Sequence, residues 1–117
     1  MIWTITKTFE ISASHQLDLP YESKCNNLHG HNWVVDIYVS ASELENGMVV
    51  DFNYLKEEIF QKLDHKHLND IIPVPTVENL ALWIAGAVGS KEAGKRFWCT
   101  KVVIRESQGN VCELECE

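Results

Sequence analysis

Cys25-Asn26-Asn27-Leu28-His29-Gly30-His31-Asn32-Trp33-Val34-Val35-Asp36-Ile37-Tyr38-Val39 changes character along its length, from a polar loop to an alternating run. Residues 31 to 40 alternate through Trp33, Val35, Ile37 and Val39, which predicts a strand half-buried on one face. With His29-Gly30 leading into that strand, the period of two puts His29 and His31 on one side. Upstream, residues 2 to 14 alternate through Trp3, Ile5, Phe9, Ile11 and Ala13, and His15 closes the run. Antiparallel pairing of the two strands lets His15 supply a third nitrogen beside His29 and His31. Three imidazoles leave the fourth position of a tetrahedral Zn2+ open, which is the catalytic pattern. A closed structural site with Cys25 as fourth ligand is the alternative that the spacing leaves open. Between the strands, His15 to Gly30 reads as a loop, because Pro20 and Asn26-Asn27 disfavour regular structure.

A chain of 117 residues is long enough for one core and short for two, so residues 1 to 117 are expected to form a single domain. Its net charge of −7, with ten scattered Lys and Arg, argues against a nucleic-acid backbone or an anionic membrane as partner. A small anionic substrate remains compatible, because local cations act where the average charge does not. No apolar run has spanning length and the N-terminus has no signal-peptide layout, so a cytoplasmic protein is expected. The four cysteines are too sparse for a disulfide scaffold. Cys112 and Cys116 fall at even spacing on one strand face, and neither they nor Cys99 are given a chemical role.

Glu45-Asn46-Gly47 marks a turn, after which Phe52, Leu55, Ile59 and Leu63 recur at helical spacing from about Asp51, a helix cap, to about Leu63. Pro73 and Pro75 stop the chain. Thr76 caps a second helix with Val77, Leu80, Ala81, Ile84 and Val88 on its inner face, ending between residues 86 and 94. Glu78 in its first turn suits the helix dipole. Strand pattern returns with Trp98, Thr100, Val102 and Ile104, and Ser107-Gln108-Gly109-Asn110 turns the chain into a hairpin with Val111 to Glu117. The layout is α+β in the order ββααββ, a four-stranded antiparallel sheet with two helices on one face.

Asp64-His65-Lys66-His67-Leu68-Asn69 follows the first helix, where a protonated His is favoured by the dipole and capping is the ordinary explanation. Adjacent Asp and His are also the parts of a proton relay. Spacing assigns no role to His67. Glu106, at the end of a strand, reads by itself as a solvated carboxylate. Cys25 follows Lys24, whose charge favours the thiolate, and a thiolate beside a metal without ligating it can take a proton from a substrate.

Taken together, Phe9-x-x-x-x-x-His15, Cys25-x-x-x-His29-Gly30-His31, Val50-Asp51-Phe52, Leu63-Asp64-His65-x-x-Leu68-Asn69, Pro75-Thr76-x-Glu78-Asn79 and Glu106 run nearly end to end. In this set the chain resembles the 6-pyruvoyl-tetrahydropterin synthase family, and within it the 6-carboxy-5,6,7,8-tetrahydropterin synthase branch of queuosine precursor synthesis. The resemblance implies the tunnelling fold, assembled as a homohexamer of two stacked trimers. It implies zinc on His15, His29 and His31, Cys25 as proton acceptor, Asp64 and His65 as a relay reaching Cys25 across a subunit interface, and Glu106 as anchor of the pterin ring. Thr76 and Glu78 look like pterin-pocket residues, although capping explains both equally well. The implied reaction turns 7,8-dihydroneopterin triphosphate into 6-carboxytetrahydropterin, acetaldehyde and triphosphate. The short Gln16 to Lys24 loop resembles that of the carboxy branch. Alternatives are a 6-pyruvoyl-tetrahydropterin synthase, which eliminates triphosphate without cleaving the side chain, and a zinc- or pterin-binding module without turnover.

Overall fold

The computed structural model describes residues 1–117 throughout. Strands β1 (Trp3–His15) and β2 (His29–Ala41) pair antiparallel from Trp3↔Ala41 to His15↔His29. The alternation explains the sidedness of this ribbon: Phe9, Ile11, Ala13, Trp33, Val35, Ile37 and Val39 are buried, whereas Thr8, Glu10, Ser12 and Asn32 are exposed on the other face. Each large apolar side chain so buried contributes about 1.5–3 kcal/mol. Strand β4 (Phe97–Ser107) lies antiparallel on β2, and β5 (Asn110–Glu115) completes a hairpin whose turn contains Gly109 at φ 83°.

The sheet has five strands, not the expected four: with β3 (Lys66–His67) at one edge, the order is β3-β1-β2-β4-β5. The additional strand, β3, is a two-residue pair laid parallel on β1, with Ala13↔Lys66 and Ser14↔His67. It forms because the chain leaving the first helix turns through His65, at φ 57°, whose N–H donates to Ser12 O at 2.7 Å. Two residues are too few to show a period. The element order is therefore ββαβαββ. A second correction concerns β4, where Trp98, Thr100, Val102 and Ile104 were expected to share a face. Tyr38 pairs with Lys101 and Val39 with Cys99, so Thr100 is passed over in the register. This bulge turns Cys99 inward with Val102 and Ile104 and leaves Trp98 and Thr100 half-buried.

The first helix runs through three consecutive segments, α-helical Phe52–Leu55, π-helical Lys56–Phe60 and α-helical Gln61–Leu63. Asp51 caps it, its carboxylate accepting from Asn53 N at 2.8 Å. Leu55, Ile59 and Leu63 are fully buried. Successive steps of four drift by about 80° around a regular helix of 3.6 residues per turn, and the wider π turn absorbs that drift. Phe52, expected on the same face, is instead about half exposed. The second helix (Val77–Val88) starts at Thr76, whose Oγ accepts from Asn79 N, and ends at Gly89 with φ 111°. It buries Leu80, Ala81, Ile84 and Val88, while Val77 is only half-buried. Both helices pack on the apolar face of the sheet, in one core that also takes Val102 and Ile104. No helix is long and apolar enough to cross a membrane.

Candidate active site and metal centre

At the far end of the β1–β2 ribbon, the His15↔His29 pair brings two imidazoles together, and the alternation adds His31 on the same side. One ligating atom from each of the three lies within 4.8 Å of the others. His15 is buried and His29 and His31 half-buried, with the His15 and His31 rings edge-on to Trp33 at 4.9 and 5.0 Å.

Two backbone carbonyls fix the tautomers. His15 Nδ1 lies 2.8 Å from Pro75 O and His29 Nδ1 lies 2.7 Å from Asn27 O. A carbonyl only accepts, so each Nδ1 must donate and each Nε2 carries a lone pair. Those two Nε2 atoms face one another at 2.9 Å. Two lone pairs at that distance repel unless the two nitrogens share a proton or both ligate one metal ion. His31 Nε2 is buried without a hydrogen-bond partner; it lies 3.4 Å from Glu106 Oε1, without the alignment of a hydrogen bond. Three nitrogen donors so held, one of them orphaned, fit a metal of the zinc class, and the carbonyls behind two of them are the usual outer partners of ligating imidazoles. Sequence reading missed Pro75 and Asn27 in this role. Pro75 reads only as a helix stop, and nothing in the chain announces that its carbonyl meets a side chain 60 positions away.

Burial holds both His15 and His31 below the ordinary imidazole range. The charge of His29 adds to the effect on each, and Glu106 partly offsets it. A folded state with depressed His values binds fewer protons than the unfolded chain once pH falls below the unfolded value of about 6.5. The contribution is therefore whole above that pH and lost on acidification through the folded values. The metal-free protein is expected to lose thermal stability between pH 7.5 and 5.5, read as a falling Tm. The fall should be smaller in a His15→Gln variant, and an equal fall in both proteins would remove His15 from the account.

Cys25 lies in a short turn (Lys24–Asn26) of the loop from β1 to β2, half-buried, with its N–H donating to Ser23 Oγ. It is not a member of the three-histidine group, so the geometry lacks the closed four-ligand arrangement. Asp64 and His65 sit at the outer edge of β1. Asp64 Oδ1 accepts from Ser12 N at 2.9 Å and its Oδ2 lies 3.4 Å from His65 Nε2. The His65 ring is 83% exposed and pairs with this carboxylate, not with a helix carbonyl as a cap would. His67 turns its ring to Ser14 Oγ at 3.0 Å. No hydrogen bond or ion pair joins Cys25 to Asp64 or His65 within the chain. Thr76 serves as a helix cap next to Pro75, while burial and, after it, the charge of Glu78 push the Cys112 thiol up. Cys99 is a core thiol pushed up to about 12 by burial and by Cys116, whose sulfur lies 3.8 Å away.

The family model for 6-pyruvoyl tetrahydropterin synthase matches residues 4–117. A protein of Archaeoglobus fulgidus, provisionally named 6-carboxy-5,6,7,8-tetrahydropterin synthase, is 37% identical over 97% of this chain and 95% of its own. The 6-carboxy-5,6,7,8-tetrahydropterin synthase of Synechocystis is 39% identical over 80% of this chain and 78% of its own. Among solved structures, Caenorhabditis elegans 6-pyruvoyl tetrahydropterin synthase superposes with a TM-score of 0.73 at 27% identity, covering 100% of this chain and 97% of the other. The chain belongs to the 6-pyruvoyl tetrahydropterin synthase family.

Proposed function

We propose that this protein is a zinc-dependent carbon–carbon lyase converting 7,8-dihydroneopterin triphosphate and one water into 6-carboxy-5,6,7,8-tetrahydropterin, acetaldehyde and triphosphate, in queuosine precursor synthesis. The observation that carries the reading is the histidine cluster, with two Nε2 lone pairs opposed at 2.9 Å and a third nitrogen orphaned. His15, His29 and His31 would hold the ion, which would supply Lewis acidity toward the substrate's side-chain oxygens. Cys25, outside the ligand set, takes the carbon-bound proton as a thiolate. His65, with its ring against the Asp64 carboxylate, returns or removes protons as the side chain is cleaved. Glu106 lies beside His31, half-buried, where a carboxylate can accept paired N–H groups from the pterin ring. Thr76 and Glu78, at the start of the second helix, are assigned to the pterin pocket.

The assembly in this reading is a homohexamer with sites between subunits. Both edges of the sheet support it: β5 has no outer neighbour, and β3 covers only two residues of β1. The exposed His65 ring suits a residue that acts on a neighbouring subunit's Cys25.

The carboxy product is favoured by the names of the Archaeoglobus and Synechocystis relatives, and the competing pyruvoyl product by the nematode enzyme of similar fold. Incubating the zinc-loaded protein with 7,8-dihydroneopterin triphosphate decides between them. The expected result is 6-carboxytetrahydropterin with one equivalent of acetaldehyde. 6-Pyruvoyltetrahydropterin without acetaldehyde would replace the proposed product while leaving the metal centre and the Cys25 base in place.

A further inference from the structure

Gln16 is an exposed residue immediately after β1, and composition alone would leave it in solvent. Its main chain has run past the last β1–β2 pair, His15↔His29. The backbone groups it leaves open are taken by one side-chain amide: Gln16 N donates to Asn69 Oδ1 at 2.9 Å and Asn69 Nδ2 donates to Gln16 O at 2.8 Å. The Asn69 amide thus acts as a one-residue strand beside Gln16, continuing the line that β3 begins.

The Gln16 side chain then reaches across the loop. Its Nε2 donates to Asn26 O at 2.8 Å, and the next residue, Leu17, donates its N–H to Cys25 O, also at 2.8 Å. Asn26 is itself pinned, its Oδ1 accepting from Leu19 N at 2.9 Å and its Nδ2 donating to Tyr21 O at 3.1 Å. A continuous line of amides therefore runs from Asn69, through the residue that follows His15, to the two successive peptide carbonyls that follow Cys25's α-carbon, those of Cys25 and Asn26. We propose that Gln16 is a positioning residue that fixes Cys25 relative to the histidine cluster, with Asn69 holding Gln16 and Asn26 transmitting its hold to the turn. The inference rests on the reading of Cys25 as the base, and deepens it.

The physical reason for an amide here is polarity. Gln16 must donate to a carbonyl, so Gln16→Glu keeps the shape but sets a carboxylate against Asn26 O, and Gln16→Ala removes the reach. An exposed hydrogen bond contributes little to overall stability, whereas misplacement of a reacting group by about 1 Å can cost about a hundredfold in rate. That asymmetry separates positioning from a structural role.

The test measures the alkylation rate of Cys25 by iodoacetamide, by mass of its peptide, with and without one equivalent of zinc. The same preparations are assayed for kcat, KM and Tm. In the unvaried protein, zinc should change the Cys25 rate by about tenfold, as a metal adjacent to a thiolate alters its reactivity. Both variants should retain zinc and keep Tm within about 3 °C, show a zinc effect under about twofold, and lose about tenfold or more in kcat with KM little changed. An undiminished zinc effect in both variants overturns the role of Gln16 alone. Indifference of the unvaried protein's Cys25 to zinc overturns the placement of Cys25 beside the metal, and this proposal with it.

Discussion

His29→Ala protein is expected to purify with less than about a tenth of an equivalent of zinc and with no measurable pterin turnover. The imidazole it removes is one of two whose Nε2 atoms are opposed at 2.9 Å, each aimed by a carbonyl behind it. Loss of an outer partner alone typically costs about 10- to 100-fold in metal affinity, and loss of the ligand itself costs more. The variant also relieves the repulsion between lone pairs, so its metal-free form should be no less stable than the metal-free parent. The loaded parent should exceed both in Tm, because an ion that binds only the folded state stabilises it by mass action. His67→Ala is the control, since its ring is engaged with Ser14 Oγ outside the cluster and its zinc should be retained. A full equivalent of zinc on the His29→Ala protein would sink the assignment.

The convergence of these histidines was legible because it depends on two simple periods. Alternation put His29 and His31 on one side of a strand, and antiparallel pairing of β1 with β2 brought His15 opposite His29. The helices were legible for a similar reason, since Asp51 and Thr76 cap where their chemistry suggests. What escaped the sequence depends on single backbone groups. The Pro75 and Asn27 carbonyls that set the histidine tautomers belong to residues whose side chains give no hint of it. Strand β3 exists because His65 adopts a left-handed conformation and its N–H meets Ser12 O, an event of one residue in a segment with no period. The bulge at Thr100 likewise shifts Cys99 inward without any marker in the alternation. Cys25 and His65 remained unconnected by spacing, and the single chain contains no bond between them.

That separation shapes the second large effect. Cys25→Ala protein should keep its zinc, because no sulfur belongs to the group formed by His15, His29 and His31. It should also keep its affinity for the pterin, and lose about 10² to 10⁴ in turnover, the usual contribution of a positioned acid or base. If the variant instead loses its zinc, the Cys25 sulfur is a ligand and the closed structural site takes precedence over the open one. The two-subunit reading adds a further consequence. The His65→Ala protein keeps Cys25 but lacks the exposed ring that pairs with Asp64, and it too should be impaired. In mixed oligomers, some sites then combine an intact Cys25 from one subunit with an intact Asp64–His65 pair from another, so exchange between the two variants should restore part of the activity. No recovery, with subunit exchange demonstrated by mass, would place both groups in one chain's site. The loop carrying Cys25 would then have to move toward the outer edge of β1, against the hydrogen bonds that now hold it to Gln16 and Leu17.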